Sequence, residues 1–600
     1  MAVSTARPLA VAPSLWRRPP LWLSLGLALA LVTLLPYLYA HLAAPSGRTF
    51  MGFFFLGDDA NTYLAKMRGG FDGAWAWTNR YTTEPSQPVY FFVYWIALGH
   101  LAALLHLPLL VTFHAARALG AVLLLYAGWM FIEHFVEDPG ARRWALFFMA
   151  FGLGMGYLLE AMGKPVFLGQ KTDTLDWRMP ELSAFYSILA LPNFAWAAAL
   201  QAIAAVLTLR AAERGSLKTG FFAGLAWLGE ASIHAQMPIL IGGAIVVAVL
   251  YRRVSARGYL AVALALAMVA PYVLYSYVEL HNPEVSRWSG QWRNNFAPDL
   301  LSLSLALAPQ LLLAALALPR MLRRRSRGDV FLLAWLLLLA VILWAPTPAD
   351  NLRRRFFDGI YLPLVVMAAE GFFTVVLPRL RERGRRLLGF GYVSFASVGS
   401  LFLLLGPPLV ISNPAYSVPN GDYAALQWLS PQPPGVVLTS DRLGLFVPAY
   451  TSDTTYVGQY SETYNWRVKT VEVNGLLHGQ GDLQGFLVEH HVRYLIWSTE
   501  DTNVVPPGSL PALLKPQIPR GNVSFTTGGG RRSPPASPGR RSSPTSRAGP
   551  RGRWSAPRGG CRRRSPRRTC QAPVASPTAA SGRPGTAAGR GRPSRTPRRR

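Results

Sequence analysis

Two adjacent carboxylates, Asp58 and Asp59, follow the first long apolar run of the sequence and are the side chains best suited to acid–base chemistry. The run extends from Leu21 to Ala43, and about 20 apolar residues match a hydrocarbon core of about 30 Å. Carboxylates at a membrane face are costly to bury and are often functional. A solvated turn or a helix-capping Asp is the alternative interpretation. One of these carboxylates could accept a proton as a general base, since a like-charged neighbour raises the pKa of one of the pair.

Other polar side chains in or beside apolar runs are further candidates. Aromatic residues alternate with polar ones in the loop that carries the carboxylates, which is typical of a membrane-interface belt and also of surfaces that stack on sugar rings. Glu181 follows a proline at the mouth of an apolar run, where an ordinary helix N-terminus is the alternative. His234, with Glu230 one turn before it, interrupts another apolar run either as a structural pair or as part of a cavity.

The composition indicates an integral membrane protein. The 600 residues are 51% hydrophobic and only 15% charged, with a mean hydropathy of +0.22. Of the net charge of +30, two thirds comes from twenty arginines between Gly528 and Arg600, a segment without lysine, aspartate or glutamate. Both cysteines, Cys561 and Cys570, lie in that segment, which excludes a cysteine nucleophile or a cysteine-ligated metal elsewhere. The sequence contains no Walker loop, dinucleotide-binding fingerprint or His-Glu-x-x-His zinc motif.

The apolar runs and the basic loops between them predict the topology. After the first run, further runs occur at about 89–106, 108–132, 145–162, 193–209, 217–232, 237–251, 258–279, 299–319, 329–345, 359–377 and 387–411. Placing the four arginine-rich loops inside puts the N-terminus in the cytoplasm and the residues after Ile411 outside. In the first half, the number of runs agrees with the assigned sides of the loops only if Leu182 to Leu191 is a further short span or if one run is re-entrant. We therefore expect 11 or 13 transmembrane helices.

This topology places Arg353, Arg354 and Arg355 on the outer side. Three arginines there oppose the usual excess of positive charge inside, so the pattern favours a bound anion, unless the topology is wrong.

Four regions are expected. Residues 1–20 form a cytoplasmic N-terminus, and 21–411 form the transmembrane domain, with 44–88 as its first outer loop. Residues 412–520 form a small outer α/β domain, in which a helix from Asp422 to Ser430 precedes strands at Gly435 to Ser440 and Val492 to Trp497. This domain looks incomplete. Residues 521–600 form a disordered basic tail, whose composition is that of a GC-rich coding region read out of frame.

The order of these parts resembles the GT-C class of polytopic glycosyltransferases, which includes oligosaccharyltransferases and protein O-mannosyltransferases. It is most similar to uncharacterised bacterial members. The resemblance covers roughly residues 15–500. It rests on the segments Asp58 to Trp77, Pro180 to Phe194, Asn351 to Gly359, and Tyr450 to Trp466 with Gly458-Gln-Tyr-Ser-Glu462.

The resemblance implies transfer of a sugar from a polyprenyl-phosphate donor to a glycan, lipid or protein acceptor on the outer face of the bacterial plasma membrane, with inversion. Asp58 is then the general base and Asp59 a supporting carboxylate, with a divalent cation such as Mg or Mn left open. The candidate substrate-binding residues are Tyr63, Arg68, Glu84, Glu181, His234, Arg354 and Arg355. A nucleic-acid partner is not expected. A membrane transporter and a non-catalytic membrane scaffold are the alternative functions.

Overall fold

Helices make up most of the chain in the computed structural model, which describes residues 20–167, 169–289, 297–345, 350–498 and 524–527. The helices of the first half are α1 (Leu21–Ala43), α2 (Gly57–Phe71), α3 (Val93–Leu105), α4 (Leu109–Phe135), α5 (Pro139–Phe151), α6 (Gly156–Ala161), α7 (Leu175–Arg178), α8 (Ala184–Ala190), α9 (Pro192–Arg214), α10 (Leu217–His234) and α11 (Met237–Tyr251). Short strands between them are β1 (Arg48–Phe50), β2 (Val166–Phe167) and β3 (Gln170–Lys171).

The helices that follow are α12 (Ala256–Leu280), α13 (Pro283–Ser289), α14 (Leu300–Ala306), α15 (Ala308–Arg324), α16 (Arg327–Trp344), α17 (Tyr361–Gly371) and α18 (Glu382–Leu409). A 3₁₀ segment, Asp350–Phe357, precedes α17 and contains the three consecutive arginines. We call it the arginine segment.

Eight helices in the described residues are long and apolar enough to cross a membrane. They become nine if α14 and α15, which meet at 92°, count as one span. The chain is thus built as a polytopic membrane protein, while the total of 11 or 13 crossings stays a prediction. Helix α8 covers the stretch considered as a further short span. Its seven residues rise only about 10 Å and are all buried, so it does not cross a bilayer.

Helix α4 packs against α1 and α9. A fully buried arginine on α4, Arg117, fixes this arrangement. Its guanidinium donates to the carbonyl oxygens of Thr33 on α1 and Leu189 on α8, each at 3.1 Å. It also lies 4.3 Å from the ring centre of Tyr37. A buried charge needs such partners, so Arg117 holds three helices together.

The region predicted to be the outer α/β domain, which we call the outer domain, contains both strands and helices. Its elements are β4 (Ser417–Pro419), α19 (Asn420–Leu429), β5 (Val436–Leu438), α20 (Asp441–Gly444), α21 (Val447–Tyr450), β6 (Thr454–Thr455), α22 (Trp466–Leu477), α23 (Leu483–Glu489), β7 (Val492–Trp497) and β8 (Ser524–Thr527). The sheet is parallel with the order β6-β5-β7-β8. Strand β8 lies in the segment predicted to be a disordered tail, and these four residues instead pair with β7. The rest of that tail lies outside the described residues.

The first outer loop is joined to this domain by a strand pair. β1 pairs antiparallel with β4, with Thr49 opposite Val418. The Nε of Arg48 donates to the Oγ of Ser417 at 2.8 Å. The loop that leads to the two carboxylates is therefore held against the outer domain.

Two glycines allow α2 to lie directly on α3. A Cβ atom at Gly70 would collide with the carbonyl oxygen of Ile96, and one at Gly99 would collide with that of Met67. The close contact sets the position of α2, whose first turn carries Asp58 and Asp59.

Candidate active site

The two carboxylates lie in the first turn of a helix and not in the loop that the sequence predicts. The chain turns into α2 at Leu56, which takes the left-handed conformation with φ 48°. The Nδ2 of Asn61 donates to the Gly57 carbonyl at 2.8 Å and reinforces the first turn. Because the N-terminal end of a helix carries partial positive charge, it favours the ionised form of Asp58 and Asp59.

Asp58 and Asp59 line a cavity of about 270 Å³ between the first outer loop and the outer domain. Asp58 is exposed, whereas Asp59 is half-buried. The loop contributes one wall and the outer domain the other, so both parts of the chain form the cavity. The other residues that line it are Phe53, Phe54, Leu56, Gly57, Ala415, Tyr416 and Tyr460.

The two neighbouring carboxylates have different electrostatic surroundings. Although the Asp58 side chain reaches solvent, the protein around its carboxyl group removes part of its hydration and raises its pKa, and the negative charges of Asp59 and Asp441 raise it further. Burial also raises the pKa of Asp59, but there Arg355, Lys66 and Arg354 oppose the rise. The pKa of both carboxyl groups is therefore raised, and only Asp59 has neighbouring cations that oppose the rise.

The arginine segment supplies the cations. Arg355 makes a hydrogen bond to Tyr63 and lies close to Asp59 and Glu181. An Nη atom of Arg354 lies 3.6 Å from the buried carboxylate of Glu181. The structure thus brings together Asp59, Tyr63, Glu181, Arg354 and Arg355 from three distant parts of the sequence.

Tyr63 is the aromatic member of this cluster, and its ring is packed against another ring. Its ring stacks on Trp95 with 4.3 Å between ring centres and 11° between planes. It is only 9% exposed, so its face is already covered. The contact of Tyr63 with Arg355 makes it a positioning residue for that arginine.

None of the seven predicted substrate-binding residues lines the cavity, and three of them have their contacts outside the cluster at Asp59. Arg68, in the last turn of α2, donates to the Tyr450 carbonyl at 3.1 Å. Glu84 forms an ion pair with Lys469 at 2.8 Å. The Nδ1 of His234 lies 2.8 Å from the carboxylate of Asp358.

The partner of His234 differs from the expected one. The sequence suggests a pair with Glu230 one turn earlier, but the oxygen bound by His234 belongs to Asp358, just after the arginine segment. The same oxygen accepts from Gln201 at 2.9 Å, and the Gln201 amide also reaches Glu230 at 3.3 Å. This buried cluster ties the end of the arginine segment to α9 and α10.

Three further residues were missed by sequence reasoning. Asp441 follows strand β5, and the carboxyl ends of parallel strands are a common place for binding sites, which could have indicated it. Glu462 belongs to a segment that carries the family resemblance, and it forms a buried ion pair of 2.8 Å with Lys66. Asp358 could have been noticed as a lone acid before an apolar run.

The donor atoms do not make a complete metal site. Among the described residues there is no group of three or more His, Cys, Asp or Glu side chains placed to hold a metal ion. Asp58 and Asp59 alone would leave most coordination positions of Mg²⁺ or Mn²⁺ to other ligands.

Comparison of the fold with solved structures returns membrane glycosyltransferases. An oligosaccharyltransferase of Archaeoglobus fulgidus with a tethered acceptor peptide matches with TM-score 0.43 and 14% identity over 73% of this chain. ArnT from Cupriavidus metallidurans, bound to undecaprenyl phosphate, matches with TM-score 0.43 and 14% identity over 72% of this chain and 85% of its own. The arabinofuranosyltransferase AftD from mycobacteria matches with TM-score 0.40 and 15% identity over 72% of this chain and 33% of its own.

The aligned part of this chain spans 64% of the archaeal enzyme's length. No protein-family model and no curated protein matches the sequence.

Proposed function

We propose that this protein is a membrane glycosyltransferase that moves a sugar from a polyprenyl-phosphate donor to an acceptor on the extracytoplasmic face. The observation that carries the proposal is the position of Asp58 and Asp59. They line a cavity between the membrane domain and the outer domain. Arg354 and Arg355 lie close to Asp59 but do not line the cavity. A base beside a cavity, and cations next to the neighbouring carboxylate, are the two kinds of group that such a transfer requires.

Each group has one role in the reaction. The carboxylate of Asp58 accepts the proton of the acceptor hydroxyl as its oxygen attacks the anomeric carbon. The bond between that carbon and the phosphate oxygen breaks, and the phosphate leaves with the electron pair. Arg354 and Arg355 stabilise the charge of the leaving phosphate. A single displacement of this kind inverts the anomeric configuration. Asp59 holds the arginines in place, and no step is assigned to a metal.

The test is complementation of a deletion strain. Lipid-linked sugars and surface glycans are extracted from the deletion strain carrying the wild-type protein, Asp58→Asn or Asp59→Asn at equal membrane levels. We expect the deletion to accumulate a lipid-linked sugar, and Asp58→Asn to leave this defect in place, because loss of a general base slows a reaction by about 10²–10⁴-fold.

Asp72→Asn is the matched control, since Asp72 lies at the other end of α2 in an exposed ion pair with Arg80. It should complement fully. If Asp58→Asn complements while Asp59→Asn does not, the base is Asp59. If both complement, this site does not carry out the transfer.

A further inference from the structure

The cavity beside Asp58 has walls of a distinct chemical character. Its polar side chains are acidic or phenolic, and the rest of its lining is aromatic or small apart from one leucine, Leu56. Among the described residues that line it there is no lysine, arginine or histidine. The cations that act on Asp59 lie outside this lining, so a phosphate in the cavity would meet two carboxylates and no cationic side chain, which does not suit an anion.

The cations lie on a different side of Asp59. Arg354 contacts Glu181, and Arg355 contacts Tyr63, and neither arginine lines the cavity. The site is therefore divided into a cationic part next to Asp59 and an acidic, aromatic part next to Asp58. The donor phosphate belongs in the first part, which leaves the second for the acceptor.

The aromatic rings of the cavity are held in place by other rings. Tyr416 packs edge-on against Phe54 with 5.1 Å between centres and 76° between planes. Tyr460 packs edge-on against Trp466 at 6.4 Å, and it stays 40% exposed. Rings fixed in this way lose little conformational entropy when they bind a ligand.

We propose that the cavity binds a neutral sugar unit, which makes the acceptor of the proposed glycosyltransferase a carbohydrate. The C–H face of a sugar ring stacks on an aromatic ring, and its hydroxyl groups donate to carboxylates, which only accept when ionised. The volume of about 270 Å³ lies just under the range of about 300–1,000 Å³ of pockets for larger ligands, which suits one sugar unit. One hydroxyl of this unit would then face Asp58.

The role of the sugar as an acceptor rests on the proposed function, but binding of the sugar can be tested without any transfer. The full-length protein, purified in detergent, is titrated with methyl glycosides of common hexoses and pentoses, with a neutral tripeptide amide, and with inorganic phosphate. Saturation-transfer NMR reports contact, and the concentration dependence gives the affinity. We expect at least one methyl glycoside to bind through its ring protons, with neither the tripeptide nor phosphate competing for it.

Substitutions of Tyr460 locate the binding site. Tyr460→Ala should weaken glycoside binding by about tenfold because it removes a ring face, and Tyr460→Phe should keep most of the affinity. Trp428→Ala is the matched control, since Trp428 is a similarly exposed aromatic residue of the same domain outside the cavity. If Tyr460→Ala does not fold, Tyr460→Leu keeps the apolar volume without the ring and should show the same loss.

Three results would overturn the sugar site: no glycoside binds, Tyr460→Ala or Tyr460→Leu binds as tightly as the wild type, or the tripeptide binds in its place. Any of these, with Asp58→Asn still failing to complement the deletion strain, leaves the glycosyltransferase function and removes only the carbohydrate acceptor. If a glycoside binds as expected but Asp58→Asn complements, the sugar site remains and the catalytic proposal fails.

Discussion

At the scale of single residues, Asp58 and Asp59 differ although they are neighbours in the sequence. Asp58 has two negative neighbours, Asp59 and Asp441, whereas three cations partly compensate Asp59. The difference arises because successive helical residues point about 100° apart and so face different parts of the protein. The negative surroundings of Asp58 favour proton uptake, which is the property that the proposed base needs.

The surroundings of Asp58 predict a pH effect. The base works only when ionised, so transfer should fall as the pH falls through the raised pKa of Asp58. Asp441→Asn removes one negative neighbour and should lower that pKa. We therefore expect the acid limb of the rate to move to lower pH, measured as initial transfer rate against pH in membranes.

Asp482→Asn provides the control for this shift. Asp482 is an acid of the same domain that caps α23 by accepting from the Gly485 amide at 2.9 Å. It should leave the limb in place. An acid limb that stays the same in Asp441→Asn, or moves to higher pH, contradicts the predicted interaction between Asp441 and Asp58.

At the scale of elements, α2 is the part that joins the membrane domain to the outer domain. Its buried Lys66 forms an ion pair of 2.8 Å with Glu462 of the outer domain, and the ammonium group lies 4.2 Å from the ring centre of Phe92. The hydroxyl of Tyr81 donates to the Leu445 carbonyl at 3.0 Å near the same junction. Because α2 also carries the carboxylates, these contacts fix the distance across the cavity.

The Lys66–Glu462 pair should therefore be important for stability. Lys66→Met or Glu462→Gln leaves one buried group without its partner, which typically costs about 3–5 kcal/mol. We expect either variant to unfold at a lower temperature in detergent. The double variant should recover part of the loss, because no charge is then left unpaired.

The exposed pair Arg80–Asp72 offers a comparison. Its side chains are each 23% exposed, and surface pairs contribute about 0–1 kcal/mol. Arg80→Gln should therefore change the unfolding temperature much less than Lys66→Met does. Equal small effects from both would show that the Lys66–Glu462 pair does not hold the domains together.

At the scale of the whole molecule, the apolar helices and the basic loops define an orientation. We expect the N-terminus inside and residues 413–520 outside, because the arginine-rich loops prefer the cytoplasmic side. The proposed site then lies on the outer face. The orientation of the outer domain can be tested directly by chemical labelling.

A labelling site must be exposed. Val471 is 73% exposed and suits the test, whereas a buried position such as Ser440, at 5% exposed, does not. In a background with Cys561→Ser and Cys570→Ser, we expect Val471→Cys to react with an impermeant thiol reagent in intact cells. Arg253→Cys, in a predicted inner loop, should react only after lysis. The reverse pattern would place the proposed site in the cytoplasm.

The basic tail should be dispensable. Its composition offers almost no large apolar side chains to bury, so it cannot form a core of its own. Deletion of Gly528 to Arg600 keeps β8 and should leave membrane insertion and glycan complementation at the wild-type level. Loss of complementation at equal protein levels would assign the tail a function.

Local pattern alone indicated the long apolar helices, the strands and helices after residue 412, and the Asp58-Asp59 pair as the main site candidate. Hydropathy and periodicity act over one helix or strand, so strand β7 was predicted with its observed bounds, Val492–Trp497. An acidic pair next to a membrane span is also visible without a structure.

Tertiary structure alone decided which distant side chains meet. His234 binds Asp358 and not Glu230, and Lys66 pairs with Glu462, which lies 396 residues away in the sequence. Asp441 reaches the neighbourhood of Asp58 only because β1 and β4 bring the first loop to the outer domain. Such pairings depend on how helices and domains pack, and packing is set by the shapes of many side chains at once, which no local pattern records.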